Sequence, residues 1–126
     1  MILVSTLTTT TDIERQSFSS TDVCRIARIT FRQLDYWVRC GRILPEHDGG
    51  SGYYRHFTYD DLFLIVFVAR LREARIEFAI IDDALATLRE TPYLKRIELH
   101  TNHPAVRITV DLTLIRADLR AALDAR

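Results

Sequence analysis

The residues whose types and spacing are best suited to binding a partner lie between Thr30 and Arg39. Arg32 and Gln33 would occupy the first turn of a helix there, and Tyr36 would lie one turn further along. The paired N–H donors of an arginine guanidinium and the amide group of glutamine match the hydrogen-bonding edges of base pairs in the DNA major groove. Tyr36 and Arg39 would then stand near the phosphates. The spacing favours a DNA-reading helix, and the open alternative is an ordinary solvated helix face.

A pair of short helices would position these side chains. The first can begin at Ser19 or Ser20, either of which is a good N-cap. Thr30 starts the second helix, with Gln33 at its third position in a capping-box arrangement, and Gly41 can end it. Three apolar residues recur at helical spacing and would face inward: Leu34, Trp37 and Val38. Two such helices joined by a short turn form a helix-turn-helix.

A glycine-rich loop follows the predicted helices. Its flanks, residues 43–44 and 53–57, can pair as a short hairpin, which is the layout of a wing. Arg55 would bind phosphate bidentately, and Tyr53 or Tyr54 would donate through its hydroxyl. A nucleotide site is the alternative for such a loop, but the chain has no GxGxxG pattern between a strand and a helix.

Five segments in this order carry a resemblance: V-C-R-I-A at 23–27, I-T-F-R-Q-L-D-Y-W at 29–37, G-R-I-L-P at 41–45, Y-R-H-F-T at 54–58 and L-R-E-A-R-I-E at 71–77. Together, residues 18–90 resemble the DNA-binding domain of the MerR family of winged helix-turn-helix regulators. The resemblance implies a mainly α fold with small β elements, and double-stranded DNA bound by a homodimer. It implies DNA contacts from four residues of the recognition helix and a phosphate contact from Arg55 in the wing. The four are Thr30, Arg32, Gln33 and Tyr36.

Three positions depart from the family pattern. Asp35 stands where the family usually has arginine, and phosphates repel an acid. It could accept a hydrogen bond from a cytosine amino group, or pair with Arg39 four residues on. Arg28 and Arg75 stand where glycine is common in the family, which allows a different turn geometry at those points.

The chain divides into three predicted segments. Residues 1–17 are expected to form a flexible N-terminal arm, residues 18–90 the winged-helix domain, and residues 91–126 a β-hairpin plus C-terminal helix for dimerisation or packing. In the hairpin, Ile97 and Leu99 alternate with polar residues, as in a strand with one buried face. Within the second segment, Thr58 and Asp61 have the spacing of a second capping box. The helix that follows, over residues 59–74, is apolar nearly all round, so it must be buried on more than one side. Its cover could be residues 78–88, the C-terminal hairpin or a second subunit.

Composition excludes several classes of protein. The 126 residues carry 17 basic and 17 acidic groups, so net charge alone indicates no partner. The apolar runs are far shorter than the ~20 residues of a membrane helix. Cys24 and Cys40 make no disulfide framework and are expected to be packing residues. His100 and His103 lack a nearby third ligand, and no catalytic motif is present, so we expect no metal, no cofactor and no enzyme.

The sequence therefore predicts a cytoplasmic, sequence-specific DNA-binding transcriptional regulator that acts as a homodimer. RNA polymerase or another protein is a candidate partner. Two alternatives stay open. One is an excisionase-like accessory factor that bends DNA for a recombinase. The other is a protein-interaction or antitoxin-like module that does not bind DNA.

Overall fold

The computed structural model describes residues 16–45 and 55–125. Five helices and four short strands follow one another within these ranges. They are β1 (Phe18–Ser19), α1 (Ser20–Ala27), α2 (Phe31–Arg39), β2 (His56–Phe57), α3 (Tyr59–Glu73), α4 (Phe78–Glu90), β3 (Arg96–His100), β4 (Arg107–Asp111) and α5 (Leu112–Asp124). The predicted class, mainly α with small antiparallel strand pairs, is confirmed.

Two compact units make up the chain, and the boundary between them falls inside α3. The first unit ends at Ile65 and the second begins at Val66. The division at residue 90, between a winged-helix segment and a C-terminal segment, stays a prediction. The predicted arm lies outside the described residues up to position 15.

Side-chain caps begin four of the five helices in the described residues, because the first N–H groups of a helix have no partner within it. The cap of α2 belongs to the site described below, and the other three are as follows. The hydroxyl of Ser19 accepts from the backbone N–H of Asp22 at 3.1 Å and starts α1. Thr58 and Asp61 cap each other at the start of α3, with distances of 3.0 and 3.1 Å. The Asp111 carboxylate accepts from the N–H of Leu114 at the start of α5. The caps at Ser19 and at Thr58 with Asp61 agree with the sequence prediction, whereas the cap at Asp111 was not predicted.

The turn between α1 and α2 keeps a left-handed backbone although it lacks the family's usual glycine. Arg28 has φ 60° and ψ 50° at the end of α1, and Arg75 has φ 65° after α3. Gly41, with φ 85°, follows α2 as predicted for the glycine that ends this helix. Because Cβ crowds the following carbonyl in this conformation, both arginines carry backbone strain that glycine would not.

Replacing Arg28 by glycine is expected to stabilise the protein by about 0.5–1 kcal/mol. The left-handed conformation costs a non-glycine residue about 1–2 kcal/mol, and the added chain entropy of glycine offsets part of that relief. Arg75→Gly should act in the same direction. Urea unfolding measures both, with Arg120→Gly inside α5 as a control that should lose about 1 kcal/mol. A less stable Arg28→Gly protein would mean that the arginine side chain contributes more than the strain costs.

The strand partner predicted for the wing was wrong. Within the described residues, His56–Phe57 pairs antiparallel with Phe18–Ser19 and not with residues 43–44. Phe18 and Phe57 lie opposite each other in the register, and both are fully buried. Pairing with the segment before α1 therefore buries two aromatic rings at once, which explains why it is preferred. The predicted loop tip, with Tyr53 and Tyr54, lies outside the described residues.

Helix α3 is buried nearly all round, as its sequence predicted. Its apolar side chains are covered within the single chain, so it needs no second subunit as a lid. The buried residues are Leu62, Phe63, Ile65, Val66, Phe67, Val68, Ala69 and Leu71. An interface between two copies, if it forms, must therefore use other surfaces.

The second unit contains the predicted C-terminal hairpin and helix. Strands β3 and β4 pair antiparallel, with Ile97 opposite Val110 and Leu99 opposite Ile108. Ile97 and Leu99 are buried, and the other three residues of β3 are exposed, so the alternating pattern did identify the inner face. Arg116 of α5 donates to two backbone oxygens of the segment before β3, at 2.7 and 2.6 Å. These bonds fasten that segment to α5.

Candidate nucleic-acid interface

Helix α2 separates an anchored side from an exposed side. Leu34, Trp37 and Val38 are buried, and Trp37 is among the largest fully buried side chains. The exposed side carries the residues predicted to meet DNA, together with one aromatic ring that the prediction did not count as a site residue. They are Phe31, Arg32, Gln33, Tyr36 and Arg39. The helix therefore has the inward and outward sides that its periodicity predicted.

A complete capping box starts this helix. The Thr30 hydroxyl accepts from the Gln33 backbone N–H at 3.0 Å, and Gln33 Oε1 accepts from the Thr30 backbone N–H at 2.9 Å. Both predicted site residues thus have a structural task in the free protein. The cap uses only the amide oxygen of Gln33. A bidentate contact to adenine would need that oxygen as well as the amide nitrogen.

Replacing Gln33 by alanine is expected to cost about 1 kcal/mol of stability, the usual worth of a lost cap bond. Gln33→Glu should cost less than about 0.5 kcal/mol, because glutamate serves equally well at this position of a capping box. Denaturant unfolding of the two variants compares them directly. Equal losses in both would mean that the cap bond is not what Gln33 contributes to stability.

An ion network lies on the flank of α2. Asp35 Oδ2 accepts from Arg39 Nε at 2.8 Å, and Asp35 Oδ1 accepts from Arg55 Nη1 at 2.9 Å. The hydrogen bond from Arg55, aided by the one from Arg39 and by both positive charges, holds the pKa of the Asp35 carboxyl below its ordinary value. Of the two uses considered for Asp35, pairing with Arg39 is therefore the one seen.

Arg55 lies where the sequence did not predict it. Its side chain is only 5% exposed, while that of Asp35 is 27% exposed and that of Arg39 is 72% exposed. A wing arginine that clamps phosphate was expected to face solvent. In the structure it points toward Asp35 of α2 instead, because the nearby carboxylate compensates the cost of burying a guanidinium group. No sequence signal marked this pairing, since 20 residues separate the two partners.

Tyr36 adds an exposed aromatic surface to the interface. Its side chain is 57% exposed, and the guanidinium of Arg42 lies 5.8 Å from the centre of its ring. Phe31, at the start of the helix, is 47% exposed. Its place off the buried stripe was visible in the sequence, but an apolar residue did not suggest a DNA contact. Exposed aromatic and cationic groups thus alternate along this side of the helix.

The two cysteines lie apart from any cluster of metal-binding side chains in the described residues. Cys24 is partly buried, and burial raises the pKa of its thiol. Cys40 is exposed and lies 2.9 Å from Arg42 Nη1, so the prediction that it packs in the core was wrong. In the described part of the chain, no three side chains of the metal-binding types come together.

None of the helices in the same part of the chain has both the length and the hydropathy that a membrane span requires.

The two capped helices, with an anchored back and an arginine-bearing front, define a helix-turn-helix protein. Residues 18–88 match the family described as MerR HTH family regulatory protein. Because this match covers more than half of the chain, the protein belongs to the MerR HTH family. This outcome agrees with the resemblance found in the sequence.

Relatives from mycobacteria support the same assignment. The chain is 34% identical over 79 residues to an uncharacterized HTH-type transcriptional regulator of Mycobacterium bovis. Proteins with the same description from two strains of Mycobacterium tuberculosis match equally well. The matches cover 61% of this chain and 35% of each relative. The chain thus aligns with about a third of the length of these relatives.

Proposed function

We propose that this protein is a transcriptional regulator that binds double-stranded DNA by placing α2 in the major groove. The observation that carries the proposal is the exposed first turn of α2, held on a capped helix whose other side is anchored by Trp37. Arg32 is exposed, and no ion pair engages it within the described residues. A guanidinium group in this position can bind the O6 and N7 atoms of guanine in a bidentate manner.

The remaining residues divide into three groups. Thr30 and Gln33 set the start of the helix, and the Gln33 amide nitrogen is available for one base-edge hydrogen bond. Tyr36 and Arg39 stand one turn further on, where they would bind phosphate oxygens. Tyr54, also proposed as a phosphate contact, lies outside the described residues.

Two copies of the chain are proposed to bind a near-palindromic site, since two-fold symmetric proteins place one recognition helix on each half-site. The proposed setting is the cytoplasm, without cofactor or catalysis. RNA polymerase or another protein is the proposed further partner.

Selection of bound sequences from random duplex DNA tests the proposal. We expect an enriched site with two inverted half-sites, whose spacing reports the dimer geometry. Binding should weaken steeply with salt, because phosphate contacts release counterions. Tandem direct repeats with marked bending would instead support the excisionase-like alternative. If no duplex is retarded at low salt, the proposed DNA binding is contradicted. A stable complex with another protein in the same experiments would then support the protein-interaction alternative.

A further inference from the structure

The salt bridge between Asp35 and Arg55 joins two distant parts of the first unit. Asp35 lies in the middle of α2, and Arg55 directly precedes β2. The pairing of His56 and Phe57 with β1 holds the backbone next to Arg55. Since β1 leads directly into α1, the bridge connects the recognition helix to the start of the helix that supports it.

Burial makes this bridge costly to open. The guanidinium of Arg55 has little access to water, so loss of its carboxylate partner leaves a buried and uncompensated charge. A phosphate contact by Arg55 would require that opening. Arg39, by contrast, is largely exposed on the other oxygen of the same carboxylate. The network of one acid and two arginines carries a net charge of about +1, which removes the repulsion that Asp35 alone would meet near phosphates.

We propose that Asp35 and Arg55 are positioning residues, which hold α2 in one orientation so that Arg32 meets a single base pair. The inference rests on the proposed function. The buried Leu34, Trp37 and Val38 anchor one side of α2, and the ion pair with the buried Arg55 holds its flank. A helix held in both ways cannot easily rotate about its axis. Sequence discrimination then depends on a pair that itself touches no base.

The variant Asp35→Asn separates positioning from phosphate binding because the two roles predict different results. If the pair positions α2, the ratio of affinities for the selected duplex and for unrelated duplex should fall about tenfold. If Arg55 instead binds phosphate, the substitution frees its guanidinium and removes a repelled acid. Both duplexes should then bind more tightly, and their ratio should stay unchanged. That second result overturns the proposal.

Arg55→Lys provides a second variant, which keeps the positive charge and removes the planar guanidinium group with its paired N–H donors. It should lower the affinity ratio in the same direction, with the salt dependence of unrelated binding unchanged. A salt slope that falls by about one unit in Arg55→Gln would identify a phosphate contact and contradict the proposal. Circular dichroism and thermal unfolding of every variant exclude loss of fold as the cause.

Two comparisons complete the test. Arg39→Gln removes the exposed arginine of the network, which is also a proposed phosphate contact. It should therefore weaken binding to both duplexes alike and leave the ratio of their affinities within about twofold of that of the wild type. The affinity ratio of the double variant Asp35→Asn/Arg55→Gln should be no lower than that of whichever single variant has the lower ratio. The reason is that the two substitutions break the same interaction. Additive losses would overturn the proposal. A wild-type protein that binds no duplex defeats the proposed function as well, whereas normal discrimination in Asp35→Asn defeats only the positioning role.

Discussion

Replacing Arg32 by alanine is expected to weaken binding to the selected duplex by roughly 10- to 100-fold, in keeping with the 1–3 kcal/mol of discrimination from a bidentate base contact. The physical reason is that Arg32 is exposed on the first turn of α2, and its guanidinium is the group proposed there for bidentate binding to guanine. Unrelated duplex should lose much less affinity. Competition titrations against duplexes changed at one base pair at a time measure the effect and locate the base.

Arg120→Ala in α5 is the matched control for this substitution. It removes the same charge from another exposed helical position, in the second unit, so it should leave discrimination unchanged. Equal weakening on every duplex by Arg32→Ala, with a smaller salt slope, would assign Arg32 to phosphate. The reading role would then have to move to another residue of the same exposed surface.

Replacing Trp37 by alanine is expected to cost about 3–5 kcal/mol of stability, which is the range for truncating a large buried aromatic side chain. Only 2% of the Trp37 side chain is exposed, on the side of α2 that faces the core. A domain with a typical total stability of about 5–15 kcal/mol would lose much of it. Urea unfolding followed by circular dichroism gives the difference.

The neighbouring residue provides the control. Tyr36→Ala removes an aromatic ring from the same helix, but the ring is more than half exposed. Its unfolding free energy should change by no more than about 0.5 kcal/mol, while its affinity for DNA falls. Two adjacent aromatic residues would thus affect different properties. A loss below about 1 kcal/mol for Trp37→Ala would show that the packing of α2 does not depend on its largest side chain.

Local sequence signals located the helices well. Thr30 with Gln33, and Thr58 with Asp61, form the caps expected from their spacing. The inward stripe of α2 and the alternating residues of β3 were also readable in advance. Each of these features depends on neighbours within a few positions, so the sequence contains all the information that they need.

Long-range pairings were the weak point. The partner of β2 is the segment before α1, and nearness in the sequence had pointed to residues 43–44. Arg55 was expected to bind phosphate from its place in the predicted wing and from the family resemblance, yet in the structure it is buried against Asp35. In both cases several partners were chemically acceptable. The strand pairing that forms is the one that buries two aromatic rings, and the contact that Arg55 makes is the one that compensates its charge.

The amino-acid sequence by itself determined where the helices begin and end, which side of α2 is apolar, and membership of the MerR HTH family. Only the tertiary structure decided which of the arginines stay exposed and which one is buried in an ion pair. The reason is that capping and periodicity act over one turn of helix. The surroundings of a charged side chain depend on residues that the fold brings together from distant positions.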